Sequence, residues 1–300
     1  MPLTYAPPAL EKIEAARERI AGTVLRTPLV RLQAEQAPAE IYLKLEYLQP
    51  MGSFKVRGAG NALALVGNDL LVNGLWTASA GNMAQAVAWH ARERGVACRV
   101  VVPETAPDTK LDAVTRLGGE LVQVSAETWF DVFRSREYPG IDGHFVHAFS
   151  DPAVIAGNGT IGLEIAEDLP DVDSVIVPYG GGGLVSGIAA ALSVVAPRCE
   201  VYACEVETAA PLAPSALPRG RARTIRISQG RSGFARIDGE NIGARDAVLL
   251  ADAGPAHAPP RRRPLPLLRG RSCGSRPRLG ARAGRMLRSP TVFEDVVKTT

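Results

Sequence analysis

IYLKLEYLQPMGSFKVRGAGNALALV, residues 41–66, runs from an apolar strand through a glycine-flanked turn into an amphipathic helix. The apolar residues of the first part suit a buried strand, and those after Phe54 recur at helical spacing. Lys55 falls at the junction, between Phe54 and Val56 and two residues before Arg57. A strand that delivers a lysine to a helix start is one unit of an alternating α/β chain.

The same alternation extends from residue 9 to about residue 206. ALEKIEAARERI predicts a helix, AEIYLKLEYL a strand and VRGAGNALALV a helix. GLWTASA predicts a strand, NMAQAVAWHARERG a helix, CRVVVP a buried strand, and APDTKLDAVTRLGG a helix with Pro107 in its first turn. ELVQVS and HFVHAF read as strands, GTIGLEIAEDL as a helix, SVIVPY as a strand, LVSGIAAALSVVA as a helix and VYACEV as a strand. This order implies parallel sheets with helices on both faces, and a ligand at the carboxyl ends of the strands.

Composition sets outer limits. The chain has 300 residues, 46% of them hydrophobic and only 5% aromatic, so the core rests on Ala, Val and Leu. No run of about 18 apolar residues predicts a membrane span, and MPLTYAPPALEKIEAARERI lacks the basic-then-apolar order of a secretory signal. The four cysteines, Cys98, Cys199, Cys204 and Cys273, have no paired spacing and read as reduced thiols of a cytoplasmic protein, with neither disulfide nor metal.

The net charge of +3 conceals two unlike parts. Residues 1–210 hold about 16 Lys and Arg against about 25 Asp and Glu, whereas residues 211–300 hold about 18 against about 6. The second part also carries 10 Pro, and its pattern predicts an irregular or disordered tail without a long helix or a central strand. The change near residue 210 has the form of an out-of-frame reading of GC-rich DNA. An arginine-rich arm for nucleic acid is the other reading of that tail, but it lacks interleaved aromatic residues.

Three motifs stand where strands end. Lys55 is the first. SAGNMAQ, residues 79–85, is the second, and GGGG, residues 180–183, the third. Four residues without Cβ before a helix let backbone N–H groups converge on one anion, with the helix dipole behind them. The run has neither the lysine of a P-loop nor the spacing of a dinucleotide fingerprint, so a compact monophosphate fits it. Ser79 and Asn82 add a hydroxyl and a carboxamide at a second helix start, suited to a carboxylate or a ring hydroxyl; simple N-capping is the plainer role. At its own helix start and beside Arg57, Lys55 is expected to have a lowered pKa. A neutral amine, a monophosphate cradle and a carboxylate cradle together describe pyridoxal phosphate held as a Schiff base. His90, His144 and His147 lie within regular patterns and read as structural.

LEYLQPMGSFKVRGAGNAL, TASAGNMAQAVAWHA, DPAVIAGNGTIGLEI and VPYGGGGLVSGIAAAL, in this order, resemble the serine/threonine dehydratases among the fold type II pyridoxal-phosphate enzymes, relatives of the tryptophan synthase β subunit. The resemblance covers roughly residues 10–210. It implies two parallel-sheet domains with the cofactor in the cleft between them: a large one from residues 1–73 and 149–210, and a small one from residues 74–148. By it, Lys55 is catalytic and holds the cofactor, Phe54 lies against the pyridine ring, and Asn82 bonds the ring hydroxyl. Gly180, Gly181, Gly182, Gly183 and Leu184 take the phosphate, while Ser79, Ala80, Gly81 and Asn82 take the substrate carboxylate. The implied reaction deaminates L-threonine or L-serine to a 2-oxo acid and ammonia. A serine racemase and a non-catalytic relic are the alternatives on this scaffold, and a homo-oligomer is implied if the fold is complete.

The sequence departs from that family in places. Tyr47 stands where Asn is common, Met51 where Thr is common and Met83 where His is common, which points to an altered substrate site. Glu205 matches a ligand position of family members that bind a divalent ion, but Pro211 stands at the next one, so no metal is expected. The family's closing strand and glycine-rich turn, whose Ser, Thr or Cys bonds the pyridine nitrogen, has no counterpart in residues 211–300. Lost sheet strands, poor solubility and weak dehydratase activity are the expected results.

Overall fold

A computed structural model describes residues 7–33, 39–206, 223–229, 235–238 and 246–251. The chain begins with α1 (Leu10–Ile20), β1 (Leu29–Arg31), β2 (Glu40–Leu45), a 3-10 turn at Glu46–Leu48, α2 (Lys55–Ala64) and α3 (Asn68–Leu71). It continues through β3 (Leu75–Ala78), α4 (Asn82–Glu93), β4 (Cys98–Pro103), α5 (Asp108–Arg116), β5 (Glu120–Val124), α6 (Ala126–Ser135) and β6 (His144–Phe145). Then come α7 (Pro152–Asp168), β7 (Ser174–Pro178), α8 (Gly183–Val195), β8 (Glu200–Val206), β9 (Arg223–Gln229), β10 (Ala235–Asp238) and β11 (Asp246–Ala251).

The strands form two sheets. One has four parallel strands in the order β5-β4-β3-β6 and draws only on residues 75–145. The other has seven in the order β1-β2-β11-β7-β8-β9-β10, parallel except that β1 runs against β2 and β10 against β9. Buried runs such as Val100–Val102 and Val175–Val177 account for both, because a parallel strand is covered on its two faces. Helix α2 packs Val56, Ala59, Ala62 and Leu63 into the core of the four-stranded sheet, beside Leu75, Met83, Val87 and Val100. A second core joins Phe54, Ile161, Ile165, Val177, Leu184 and Ile188 beneath the seven-stranded sheet.

Several expectations are corrected. HFVHAF forms a strand only at His144–Phe145. The helix expected from Gly159 begins seven residues earlier, where Asp151 caps it by accepting from the Ala153 N–H and Pro152 occupies its first turn. Residues 126–135 form α6, capped by the Ser125 hydroxyl, where the sequence pattern showed no element. Pro107 is the N-cap of α5, just outside its first turn.

The largest difference lies beyond residue 210. Three of its segments are strands, and β11 enters the middle of the seven-stranded sheet, in register with Ile41–Leu45 on one side and Ser174–Ile176 on the other. DAVLLA is a compact apolar run within that region, so its local pattern outweighs the surrounding Arg and Pro. Ser228 and Gln229 are the last two residues of β9, so the SQG fragment begins within a strand. Pro211 and the SCG fragment with Cys273 lie outside the described residues.

Candidate functional site

Lys55 is the first residue of α2, and its backbone N–H donates to the Ser53 hydroxyl. Its Nζ donates to the Ala148 carbonyl at 2.8 Å and stands 5.1 Å from the Phe54 ring centroid. Phe54 itself is buried with Val177 and Leu184 under the glycine loop. Ala148 belongs to the turn between β6 and α7, and the next residue reaches the glycine loop. There the Phe149 ring covers Gly181 so closely that a Cβ at Gly181 would come within 2.1 Å of it. A Cβ at Gly183 would meet the Phe149 carbonyl at 2.3 Å. The turn at 147–150 thus touches both the lysine and the phosphate-type loop.

The glycine loop follows β7 and opens α8. Gly182 has φ +85°, a left-handed conformation that favours glycine. Gly180 faces open space, with nothing within 4 Å of a Cβ built on it. Asn158, buried in α7, donates from Nδ2 to the Gly183 carbonyl at 3.3 Å and steadies the loop from below. An opening bounded by glycine and a helix N-terminus fits a phosphate group.

The 79–82 loop is built alike at the end of β3. Gly81 is the N-cap of α4 and makes no side-chain cap; Ser79 accepts from the Gly81 N–H at 3.3 Å. Neither Ser79 nor Asn82 therefore serves as the simple N-cap. A Cβ at Gly81 also meets nothing within 4 Å, so this helix start too is open to a ligand, with Ser79 and Asn82 half-buried at its sides. Ala80 packs on the core that Ala148 and Met51 also border. These features fit the carboxylate and phosphate ends of a pyridoxal-phosphate site with an amine between.

Two neighbours act differently from expectation. Arg57 does not face Lys55. Its guanidinium is 1% exposed and lies between Glu46 and Glu164, where both carboxylates pair with it. Lys44 joins the group through Glu164 at 2.6 Å, giving two cations and two carboxylates in one buried cluster. The cluster joins β2, the 3-10 turn, α2 and α7, and so fixes the helix start that carries Lys55. Met83 is likewise turned inward: it is 1% exposed in the apolar core of the four-stranded sheet, so it does not line the 79–82 loop. Tyr47 is exposed.

The histidines have distinct surroundings. Burial lowers the His90 pKa, and its Nε2 meets the Val56 carbonyl at 2.8 Å, a contact between α4 and α2. Burial, with Arg136 and Lys55 near, pushes His147 down to about 4. His147 receives N–H groups of the 148–150 turn, a role the sequence pattern did not reveal. Cys98, Cys199 and Cys204 are buried and free, and burial pushes each up to about 12, so they are unreactive thiols. Among the described residues no helix is long and apolar enough to cross a membrane.

A lysine at a helix start with two open loops at strand ends fits a pyridoxal-phosphate site, and the chain belongs to the pyridoxal-phosphate-dependent enzyme family, whose profile matches residues 20–252. It is 42% identical over 221 residues to an L-threonine ammonia-lyase of Thermotoga maritima, a match covering 72% of this chain and 54% of that protein. A serine racemase of Oryza sativa subsp. indica is 37% identical over 201 residues, covering 65% of this chain and 59% of that one. Among solved structures, a serine racemase from Dictyostelium discoideum superposes with a TM-score of 0.64 at 36% identity, over 68% of each chain. The chain thus spans little more than half the length of the Thermotoga relative it matches. The match to residue 252 also carries the family pattern past residue 210, through β9, β10 and β11.

Proposed function

We propose that the chain is a pyridoxal-phosphate-dependent lyase that deaminates L-threonine or L-serine to a 2-oxo acid and ammonia. The observation that carries this is the turn at Ala148–Phe149, which links the Lys55 amine at 2.8 Å to the glycine loop at Gly181. Pyridoxal phosphate, when bound, supplies the electron sink that makes the substrate Cα proton acidic.

In this reading Lys55 Nζ holds the cofactor and moves the proton at the substrate Cα. Gly180, Gly181, Gly182, Gly183 and Leu184 bind its phosphate through the start of α8. Asn82 orients the ring hydroxyl, and Phe54 shapes the floor from the core below. Ser79, Ala80, Gly81 and Asn82 receive the substrate carboxylate at the start of α4. The partition of strands supports a two-domain organisation with the site between, residues 1–73 and 149–210 on one side and 74–148 on the other. Assembly into a homo-oligomer belongs to the same reading.

Serine racemization is the second reading, favoured by the rice relative. One assay separates the two. The purified chain with added pyridoxal phosphate is given L-threonine and then L-serine, and 2-oxo acid, ammonia and D-serine are measured. Oxo acid and ammonia in equal amounts support the lyase; D-serine without oxo acid supports the racemase. Absence of all products overturns both.

A further inference from the structure

His147 is 5% exposed and wedged among aromatic rings, with Phe133 at 4.5 Å, Phe149 at 4.8 Å and Phe145 at 6.0 Å between centroids. Its Nδ1 is a shared acceptor. The Phe149 N–H donates to it at 3.3 Å, the Ser150 N–H at 3.1 Å and the Ser150 hydroxyl at 2.9 Å. Two backbone N–H groups aimed at one nitrogen fix the tautomer, because Nδ1 must present a lone pair. The Phe133 backbone acts in the opposite sense, raising the pKa of the ring, but burial outweighs it. The neutral state that burial favours is the one that keeps this acceptor at working pH.

The residues so gathered are those that reach the site from the β6–α7 side. Ala148 presents its carbonyl to Lys55 Nζ, and Phe149 lays its ring on Gly181. Ser150 is held from the other side by Arg136 at 3.0 Å. Asp151 then caps α7, the helix whose Asn158 reaches the Gly183 carbonyl.

We propose that His147 is a positioning residue for the cofactor site: its Nδ1 gathers the 148–150 turn, so that one imidazole sets both the Ala148 carbonyl against Lys55 and the Phe149 ring against the glycine loop. The proposal rests on the pyridoxal-phosphate reading above. It assigns His147 no proton transfer. Without the acceptor, two part-buried N–H groups lose their partner and the turn is free to rearrange. The lysine and the loop then lose a common reference, and the cofactor meets a less organised cradle.

The test separates the acceptor from the ring. His147→Asn keeps a side-chain oxygen near the Nδ1 position without the ring, whereas His147→Phe keeps an aromatic ring without an acceptor. Binding of pyridoxal phosphate is followed by absorbance titration, and covalent capture at Lys55 by borohydride reduction and peptide mapping. His147→Asn is expected to stay within about threefold of the wild type, and His147→Phe to lose about tenfold or more, in affinity and in capture. Phe binding as well as Asn, or better, overturns the proposal, because the ring would then be mere packing. Wild-type protein that captures no cofactor overturns the underlying reading instead, so the two failures are distinguishable.

Discussion

Arg57 and Glu164 form a two-pronged pair inside the protein, Nη1 to Oε1 at 2.6 Å and Nη2 to Oε2 at 2.9 Å. The pair ties α2, which begins at Lys55, to α7. The Arg57 charge therefore serves the seating of the helix and is compensated on the spot by Glu46 and Glu164. Glu164→Ala would leave buried Arg57 with Glu46 alone and buried Lys44 with only the more distant, partly exposed Asp168 at 3.9 Å. A loss of about 3–5 kcal/mol in folding stability is expected, read from urea unfolding. A change below about 1 kcal/mol would show that water or rearrangement relieves the cluster.

Gly180 and Gly181 separate ligand effects from folding effects within one loop. A Cβ at Gly180 meets open space, whereas one at Gly181 would strike the Phe149 ring at 2.1 Å. Gly180→Ala is expected to leave the cofactor-free melting temperature unchanged and to weaken pyridoxal phosphate about tenfold, about 1.4 kcal/mol. Gly181→Ala is expected to lower that melting temperature as well. Equal behaviour in both measurements would show that the loop is only a turn.

Met83→His places an imidazole among Leu75, Val87 and Val100 at a position 1% exposed. The expected result is a stability loss of about 1–3 kcal/mol from burying a polar group in that core. A variant as stable as the wild type but altered in substrate KM would return residue 83 to the substrate site.

His147 gives stability a sign with pH. The folded protein favours the neutral ring, with its pKa pushed from 6.5 to about 4, so the unfolded chain takes up the proton first as pH falls. This contribution is full above pH 6.5 and is lost as pH drops toward about 4. His90 shifts in the same direction. Urea midpoints compared between about pH 7 and about pH 4.5 should fall more in the wild type than in His147→Asn. An equal fall would assign the acid sensitivity to other groups.

The strand-to-helix alternation and the three strand-end motifs were legible in the sequence because each rests on local signals: apolar runs, helix periodicity and glycine. The start of α7 was hidden by glycine too. Gly159 and Gly162 fall within the expected helix and Gly157 in the stretch the pattern missed; a Cβ at Gly157 would come within 2.5 Å of the Arg57 carbonyl and one at Gly159 within 2.9 Å of the Gly187 carbonyl. They let α7 approach α2 and α8, a tertiary reason that no propensity records. Arg57 and Met83 were misread for a similar cause. Neighbourhood in sequence placed them beside the site, whereas helix geometry turned them into the core. The role of β11 depended on partners far earlier in the chain, Ser174–Ile176 and Glu40–Leu45.

Lys55 as the cofactor lysine is the central claim, and the attachment point tests it most directly. The chain is incubated with pyridoxal phosphate, reduced with borohydride, digested and mapped by mass. The account predicts a pyridoxyl group on the peptide containing Lys55. Its appearance on Lys44, which is buried against Glu164, or on Lys110, with Lys55 unmodified, would contradict it.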